Sequence, residues 1–204
     1  MKIVGITGGI TSGKSAVTRY LKRHNFYVID CDKITDALYE NSEEFNQGLL
    51  NLFGNKIIYD GKISRSKLGS IVFSNKAEMK KLNNFAFPYI LRQIEYEMEC
   101  NKDLDIIFID APTLFESGLN KLIPFTDIWV VSVSVSTQML RLKRRKSYLS
   151  ANAINNILNS QWTDEERRKY ATFVLNNDKG LSRLLYTRIK YGLELLGYTV
   201  DKTQ

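Results

Sequence analysis

Gly8-Gly9-Ile10-Thr11-Ser12-Gly13-Lys14-Ser15 follows the pattern G-x-x-x-x-G-K-[ST]. The chemistry of that spacing is phosphate binding. Glycines let the backbone wrap a phosphate group, and consecutive N–H groups at a helix N-terminus face its oxygens. Lys14 reaches the β- and γ-phosphates, and the Ser15 hydroxyl ligates Mg²⁺. Ile3–Thr7 ahead of the loop is a short apolar run that reads as a buried strand, while Ala16, Val17, Tyr20 and Leu21 behind it fall at helical spacing. Strand, glycine loop and helix in that order favour a nucleoside triphosphate site over a glycine turn that only packs strand on helix.

The destination of the phosphate is the next question. No N-K-x-D guanine signature occurs, since Asn101-Lys102 is followed by Asp103-Leu104 with the aspartate misplaced. Motor and transport ATPases need a larger core, so a small-molecule kinase fits the size. Such a kinase sets an acceptor hydroxyl in line with the γ-phosphate and removes its proton, and a carboxylate near the end of a neighbouring strand is the natural base. Asp30 and Asp32 flank Cys31 where a second strand should end, and either one is a candidate; the alternative is that both cap the next helix. Asp110 closes a third strand and is a candidate to hold Mg²⁺ or its water, or a strand-end cap. Arg141, Lys143, Arg144, Arg145 and Lys146 form a run of five basic residues in six positions. That run reads as a solvated face or a nucleic-acid patch, or as the arginines of a lid that steady the transferred phosphoryl group.

Short apolar runs at Ile3–Thr7, Phe26–Ile29, Asp105–Ile109, Ile128–Val135 and Phe173–Leu175 alternate with helical or polar sequence. This predicts an α/β fold with a parallel sheet flanked by helices. About 75 residues between the second and third runs read mainly as helix. One apolar face there holds Phe45, Leu49, Leu50, Leu52 and Phe53, and another holds Leu68, Ile71, Val72 and Phe73. Pro88 predicts a break or a helix start between Met79 and Met98. A single domain, 1–204, is expected, with one helical insertion at about 33–100 long enough to be an acceptor-binding subdomain and a second at about 136–171 whose position suits a lid. His24 reads as a helix-terminus residue, and Trp129 and Trp162 as packing residues.

With 204 residues, 44% hydrophobic and 25% charged, the composition is that of one ordinary globular domain, not of a disordered or collagen-like chain. The net charge of +7 suits a partner that carries phosphates. Two cysteines, Cys31 and Cys100, give neither a disulfide framework nor metal spacing, so reduced thiols in a cytoplasmic, membrane-free setting are expected.

The order of motifs resembles the dephospho-coenzyme A kinase family of P-loop kinases. Gly8 to Ser15 is similar to its G-G-I-G-S-G-K-[ST], and Val28-Ile29-Asp30-Cys31-Asp32 to its V-D-A-D. Asp60-Gly61 with Arg65 resembles D-G-x-L-D-R, followed by Leu68 to Phe73 and Leu82-Asn83, and Asp110 to Glu116 resembles D-x-P-L-L-F-E. Gln138, Arg141, Arg145, Gln161, Asn176-Asn177-Asp178 and Gly180 continue the match. The resemblance implies transfer of the ATP γ-phosphate to the ribose 3′-hydroxyl of dephospho-CoA, giving CoA and ADP, in a P-loop core with a CoA-binding insertion and a lid. It assigns Asp32 as general base beside Lys14, and Arg141 as the lid arginine on the phosphates. Arg145 and Asn177 join Gly8, Gly9, Ile10, Thr11, Ser12, Gly13, Lys14 and Ser15 as nucleotide contacts, with Ser15 and Asp110 toward Mg²⁺. The expected partners are ATP and dephospho-CoA, with a monomer as the working unit and no nucleic acid. The runner-up is another P-loop kinase acting on a nucleoside or nucleotide; from a different class, an ATP-controlled nucleic-acid module would use the 141–146 run. Four positions depart from the family pattern. Thr11 replaces a loop glycine, which matters if that position needs positive φ. Phe87-Pro88 stands for His-Pro, Lys146 for an acidic or amide residue, and Asn156 for a lid arginine.

Overall fold

The computed structural model describes residues 1–148, 150–159, 161–180 and 182–200. The chain opens with β1 (Lys2–Thr7), buried throughout after Lys2, the near-continuous apolar run of a strand covered on both faces. α1 (Lys14–Arg23) turns Val17, Tyr20 and Leu21 inward and ends at His24, whose ring stacks on Tyr20. β2 (Tyr27–Asp30) leads directly into α2.

Asp30 to Asn101 forms a compact unit of its own. It contains α2 (Cys31–Asn41), α3 (Glu43–Phe53), β3 (Ile58–Tyr59), β4 (Lys62–Ile63), α4 (Arg65–Ser74) and α5 (Lys76–Cys100). Ser42, Ser64 and Asn75 cap α3, α4 and α5 with side-chain oxygens, so polar residues start these helices where apolar periodicity begins. The β3–β4 hairpin was not expected. Its turn is Asp60-Gly61 with φ of 49° and 71°, the pair of positive values that a type I′ turn requires. The core of the unit is Phe45, Leu49, Phe53, Ile57, Leu68 and Val72.

Two expectations for this unit are corrected. α5 runs unbroken through Pro88 instead of breaking or starting there. The missing N–H weakens one turn, but the helix is anchored on both sides of it. The Asn75 Oδ1 accepts the Ala77 N–H at 2.9 Å, and the Phe85 and Tyr89 rings each pack 5.3 Å from Phe45. Phe73 was expected on the apolar face of α4 and is 83% exposed. Leu68 and Val72, four apart, point into the core, and the next residue lies about 100° around the helix.

The other unit comprises Met1–Ile29 and the chain from Lys102 onward. After β5 (Ile106–Asp110) come α6 (Leu119–Leu122), β6 (Asp127–Ser132), α7 (Val135–Arg145), α8 (Ala151–Asn159), α9 (Asp164–Arg168), β7 (Phe173–Asn176) and α10 (Ser182–Leu195). β6 stops at Ser132, short of the expected Val135, because the Ser134 hydroxyl accepts the Thr137 N–H and starts α7. The sheet order is β2-β5-β1-β6-β7, with β1 central and parallel to both β5 and β6, and β7 parallel to β6. This is the α/β fold with a parallel five-stranded sheet flanked by helices. α1 and α10 cover it, with Val17, Leu21, Leu185, Ile189 and Leu193 against Val4, Ile6, Phe108, Trp129, Val131 and Leu175. In such a sheet ligands collect beyond the carboxyl ends of the strands, where neighbouring connections diverge. The chain beyond the end of β1 is the glycine loop.

Candidate active site

β1 delivers the loop from a buried base, with the Thr7 hydroxyl donating to the Pro112 carbonyl at 3.2 Å. Two glycines are needed for shape. A Cβ on Gly8 would stand 2.5 Å from the Val131 carbonyl oxygen and 2.7 Å from the Ser12 hydroxyl. Gly13 has φ of 98° and is the N-cap of α1. Thr11, the departure from glycine, has φ of 59°. The position is therefore left-handed, and a β-branched residue there is strained. Its hydroxyl reaches the Ile10 carbonyl at 2.7 Å and the Gln138 carbonyl at 3.2 Å.

α1 carries no acidic residue in its first turn, so no carboxylate of its own neutralises the positive end of the helix. Lys14 begins that turn and forms an ion pair with Asp110 at the end of β5; their side chains are 15% and 7% exposed. Ser15 follows, exposed. Asp30 accepts the Lys33 N–H at 3.2 Å and is the N-cap of α2. Capping thus accounts for Asp30 and not for Asp32, which sits exposed in the first turn of that helix.

The basic run divides. Arg141 is half-buried and its terminal nitrogens donate to main-chain carbonyls: Thr11 and Ser12 at 3.2 Å each, and Asn177 at 2.7 Å. Arg145, one turn further along α7, is exposed with Lys143 and Arg144. Asn177 is buried, and its side-chain amide donates to the Ser12 carbonyl at 2.7 Å. Arg141 and Asn177 were expected to reach the nucleotide; in this structure the Asn177 amide and one Arg141 nitrogen hold the loop's own carbonyls, and the other Arg141 nitrogen holds the Asn177 carbonyl. Asp178 ties β7 to α7, accepting from the Ser134 hydroxyl at 2.7 Å, the Ser134 N–H at 2.8 Å and the Thr137 hydroxyl at 2.9 Å. Those bonds, Ser134's first, hold its carboxyl below the ordinary aspartate value, and the Arg141 charge adds to the effect.

The reading of the residues assigned nothing to Arg167, a fully buried arginine at 1% exposure whose guanidinium pairs with Glu116 at 2.6 Å. It lies in Glu165-Glu166-Arg167-Arg168-Lys169, which reads as a solvated charged stretch. Thr163 to Glu166, a capping box, was the available signal that a helix starts there and turns one face inward. Phe87 is half-buried on α5 and lies outside the Phe45, Phe85 and Tyr89 ring cluster.

Residues 2–183 match the family described as Dephospho-CoA kinase. Dephospho-CoA kinase of Fusobacterium nucleatum is 39% identical over 184 residues, spanning 89% of this chain and 92% of that protein. The enzyme of the same name from Carboxydothermus hydrogenoformans is 36% identical over 180 residues, 87% of this chain and 86% of that one. Among solved structures, Dephospho-CoA kinase from Campylobacter jejuni superposes with a TM-score of 0.68 at 30% identity, covering 96% of this chain and 98% of that one. The crystal structure of TT1252 from Thermus thermophilus does so with a TM-score of 0.80 at 30% identity, covering 98% of each. With its phosphate loop at the end of the central strand and a match that runs through almost all of its length, the chain belongs to the dephospho-CoA kinase family.

Proposed function

We propose that this protein transfers the γ-phosphate of ATP to the ribose 3′-hydroxyl of dephospho-CoA, releasing ADP and CoA. The observation that carries the reading is the phosphate loop at the end of β1, with Lys14 and Asp110 paired beside it, in a chain matched to the family over residues 2–183. Lys14 begins a helix whose open N-terminus favours phosphate oxygens.

In the proposed reaction Asp32 accepts the proton of the 3′-hydroxyl as its oxygen bonds the γ-phosphorus, and the bond from that phosphorus to the β-bridging oxygen breaks. ADP carries away the electron pair. Lys14 exchanges Asp110 for the β- and γ-phosphates, and Arg141 and Arg145 place positive charge where the transferred group develops its negative charge. Asn177 and Gly8 to Ser15 hold the nucleotide. The residues fit Mg²⁺: the Ser15 hydroxyl and the Asp110 carboxylate are hard oxygen donors, the type that ion takes alongside nucleotide phosphates and water. Among the described residues no group of three or more His, Cys, Asp or Glu side chains could hold a metal by itself. When bound, Mg²⁺ supplies charge neutralisation at the β- and γ-oxygens.

The segment at about 33–100 is proposed to bind the acceptor and that at about 136–171 to act as a lid, in a monomeric cytoplasmic enzyme. Among the described residues no helix is long and apolar enough to cross a membrane. The test is an assay coupled to ADP release. Dephospho-CoA should drive turnover, and AMP and nucleosides, which lack the pantetheine arm, should be poor acceptors. Equal ATP consumption with AMP and with dephospho-CoA would show the reading to be wrong.

A further inference from the structure

Both backbone polar groups of Trp162 are held by one ion pair, whose arginine is fully buried and whose glutamate is largely so. Its N–H donates to Glu116 Oε1 at 3.2 Å, its carbonyl accepts from an Arg167 terminal nitrogen at 2.5 Å, and the other terminal nitrogen of Arg167 closes the triangle on Glu116 at 2.6 Å. The indole stacks on Phe115 with centroids 5.4 Å apart and planes 11° apart, and packs on Tyr170 at 5.7 Å. Thr163 and Glu166 fix the next turn through their capping box. The residue immediately before this clamp is Gln161, and its Oε1 accepts the N–H of Ile10 in the phosphate loop at 2.9 Å. Next to Ile10 the loop is bounded by the same group of side chains: a Cβ on Gly9 would collide with the Gln138 amide and lie 3.4 Å from an Arg167 terminal nitrogen.

A pair of charges taken this far out of water is a poor source of stability, because desolvation offsets much of its attraction. What it fixes here is geometry. The Glu116–Arg167 pair determines where the backbone of Trp162 lies, that backbone determines where the Gln161 side chain starts, and Gln161 holds the orientation of a loop amide. Loop dipoles aimed in advance act mainly on the charge that develops during transfer, and not on ground-state binding.

We propose that Gln161 is a positioning residue for phosphoryl transfer, held on the Ile10 amide by the Glu116–Arg167 clamp acting through Trp162. The proposal rests on the kinase reading above and adds residues to which that reading gives no role. It does not require Gln161, Glu116 or Arg167 to touch a substrate.

The test compares the parent protein with Gln161→Met, Arg167→Met and the double variant, using ADP release with dephospho-CoA. Parent turnover is measured first; if it is absent, the kinase reading fails, whatever the variants do. With an active parent, Gln161→Met should lower kcat by ~10-fold or more while the KM for ATP changes less than about 3-fold, since a displaced reacting geometry costs rate more than binding. Its Tm should fall by a few degrees at most, the effect of one lost hydrogen bond, because the side chain is only half-buried and keeps its length. Arg167→Met should lower both kcat and Tm, and the double variant should show no further loss of kcat, because both changes release the same amide. Parental kcat in Gln161→Met overturns the proposal, as do losses that multiply in the double variant. If Arg167→Met does not fold, the kcat of Gln161→Met decides alone.

Discussion

The Asn177 side-chain amide donates a 2.7 Å buried hydrogen bond to the main-chain carbonyl of Ser12, although 165 residues separate the two in sequence. Arg141 donates to the same carbonyl at 3.2 Å and to the carbonyl of Asn177 at 2.7 Å, so the turn after β7 and α7 grip the phosphate loop together. Asn177→Leu keeps the branched shape and removes the donor. The Arg141 bond continues to satisfy Ser12, so the loss should be near ~1 kcal/mol, the ordinary worth of one hydrogen bond. Urea unfolding should show a lower midpoint at unchanged slope, and the KM for ATP should rise. An unchanged midpoint would mean that the amide contributes nothing to holding the loop.

Thr11 combines a left-handed backbone with a hydroxyl that reaches two carbonyls, Ile10 and Gln138. Thr11→Gly removes the strain, but it also removes the hydroxyl and adds freedom to the unfolded chain. The strain relieved is about 2 kcal/mol, while the lost hydroxyl and the added freedom cost about 1 kcal/mol each, so stability should change little. Thr11→Val keeps the strain and the shape while losing the hydroxyl, and should be less stable than Thr11→Gly by ~1 kcal/mol. Equal midpoints for the two variants would contradict the account of this position.

Asp178 is held below its ordinary value of 3.8, first by the Ser134 hydroxyl, then by the Ser134 N–H and by Thr137. Glu166 is likewise held below 4.5 by the Thr163 N–H and hydroxyl. A depressed carboxyl favours the folded state above its unfolded value, and that contribution disappears as pH falls through the folded value. Stability should therefore decline with acid below about pH 4, and Asp178→Asn should flatten part of the decline. Urea midpoints from neutrality down to pH 3 would check this. A variant with the parent's slope throughout that range would exclude a role for Asp178 in the acid response.

The two aspartates before and after Cys31 should separate in kinetics. Asp32→Asn should lower kcat by ~10²-fold or more and leave ATP binding largely intact, the scale for loss of a positioned base. Asp30→Asn should leave kcat and the start of α2 nearly unchanged, because Asp30 is the N-cap of that helix and asparagine caps equally well. Lys14→Ala should impair both nucleotide binding and turnover, since it removes the ammonium of the loop and leaves Asp110 without that partner. Near-normal kcat in Asp32→Asn would move the base to another carboxylate.

The parallel sheet, the glycine loop and the positions of Asp30 and Asp110 at strand ends were legible because each rests on local sequence: an apolar run, a glycine spacing, a polar residue at a boundary. Pro88 misled because its local cost is real, yet packing of Phe85 and Tyr89 on Phe45 overrides it. Phe73 misled because the three consecutive apolar residues Ile71, Val72 and Phe73 cannot all face one side of a helix. The Asp60-Gly61 turn was available in the sequence as a hairpin signal, but the strands on either side, two residues each, are too short to show alternation. Arg167 and Glu116 were out of reach for a different reason. They pair across 51 residues of sequence, and nothing about Arg167, a charged residue in a charged stretch, announces its burial.

The central claim is the acceptor. Purified protein should be incubated with ATP, Mg²⁺ and dephospho-CoA, and the product's phosphate located by ³¹P NMR alongside ADP release. The account predicts one ADP for each CoA formed, with the new phosphate on the ribose 3′-oxygen, and far slower ADP release when AMP replaces dephospho-CoA. ADP formed at the same rate without dephospho-CoA, or a phosphate attached elsewhere on the acceptor, would contradict it.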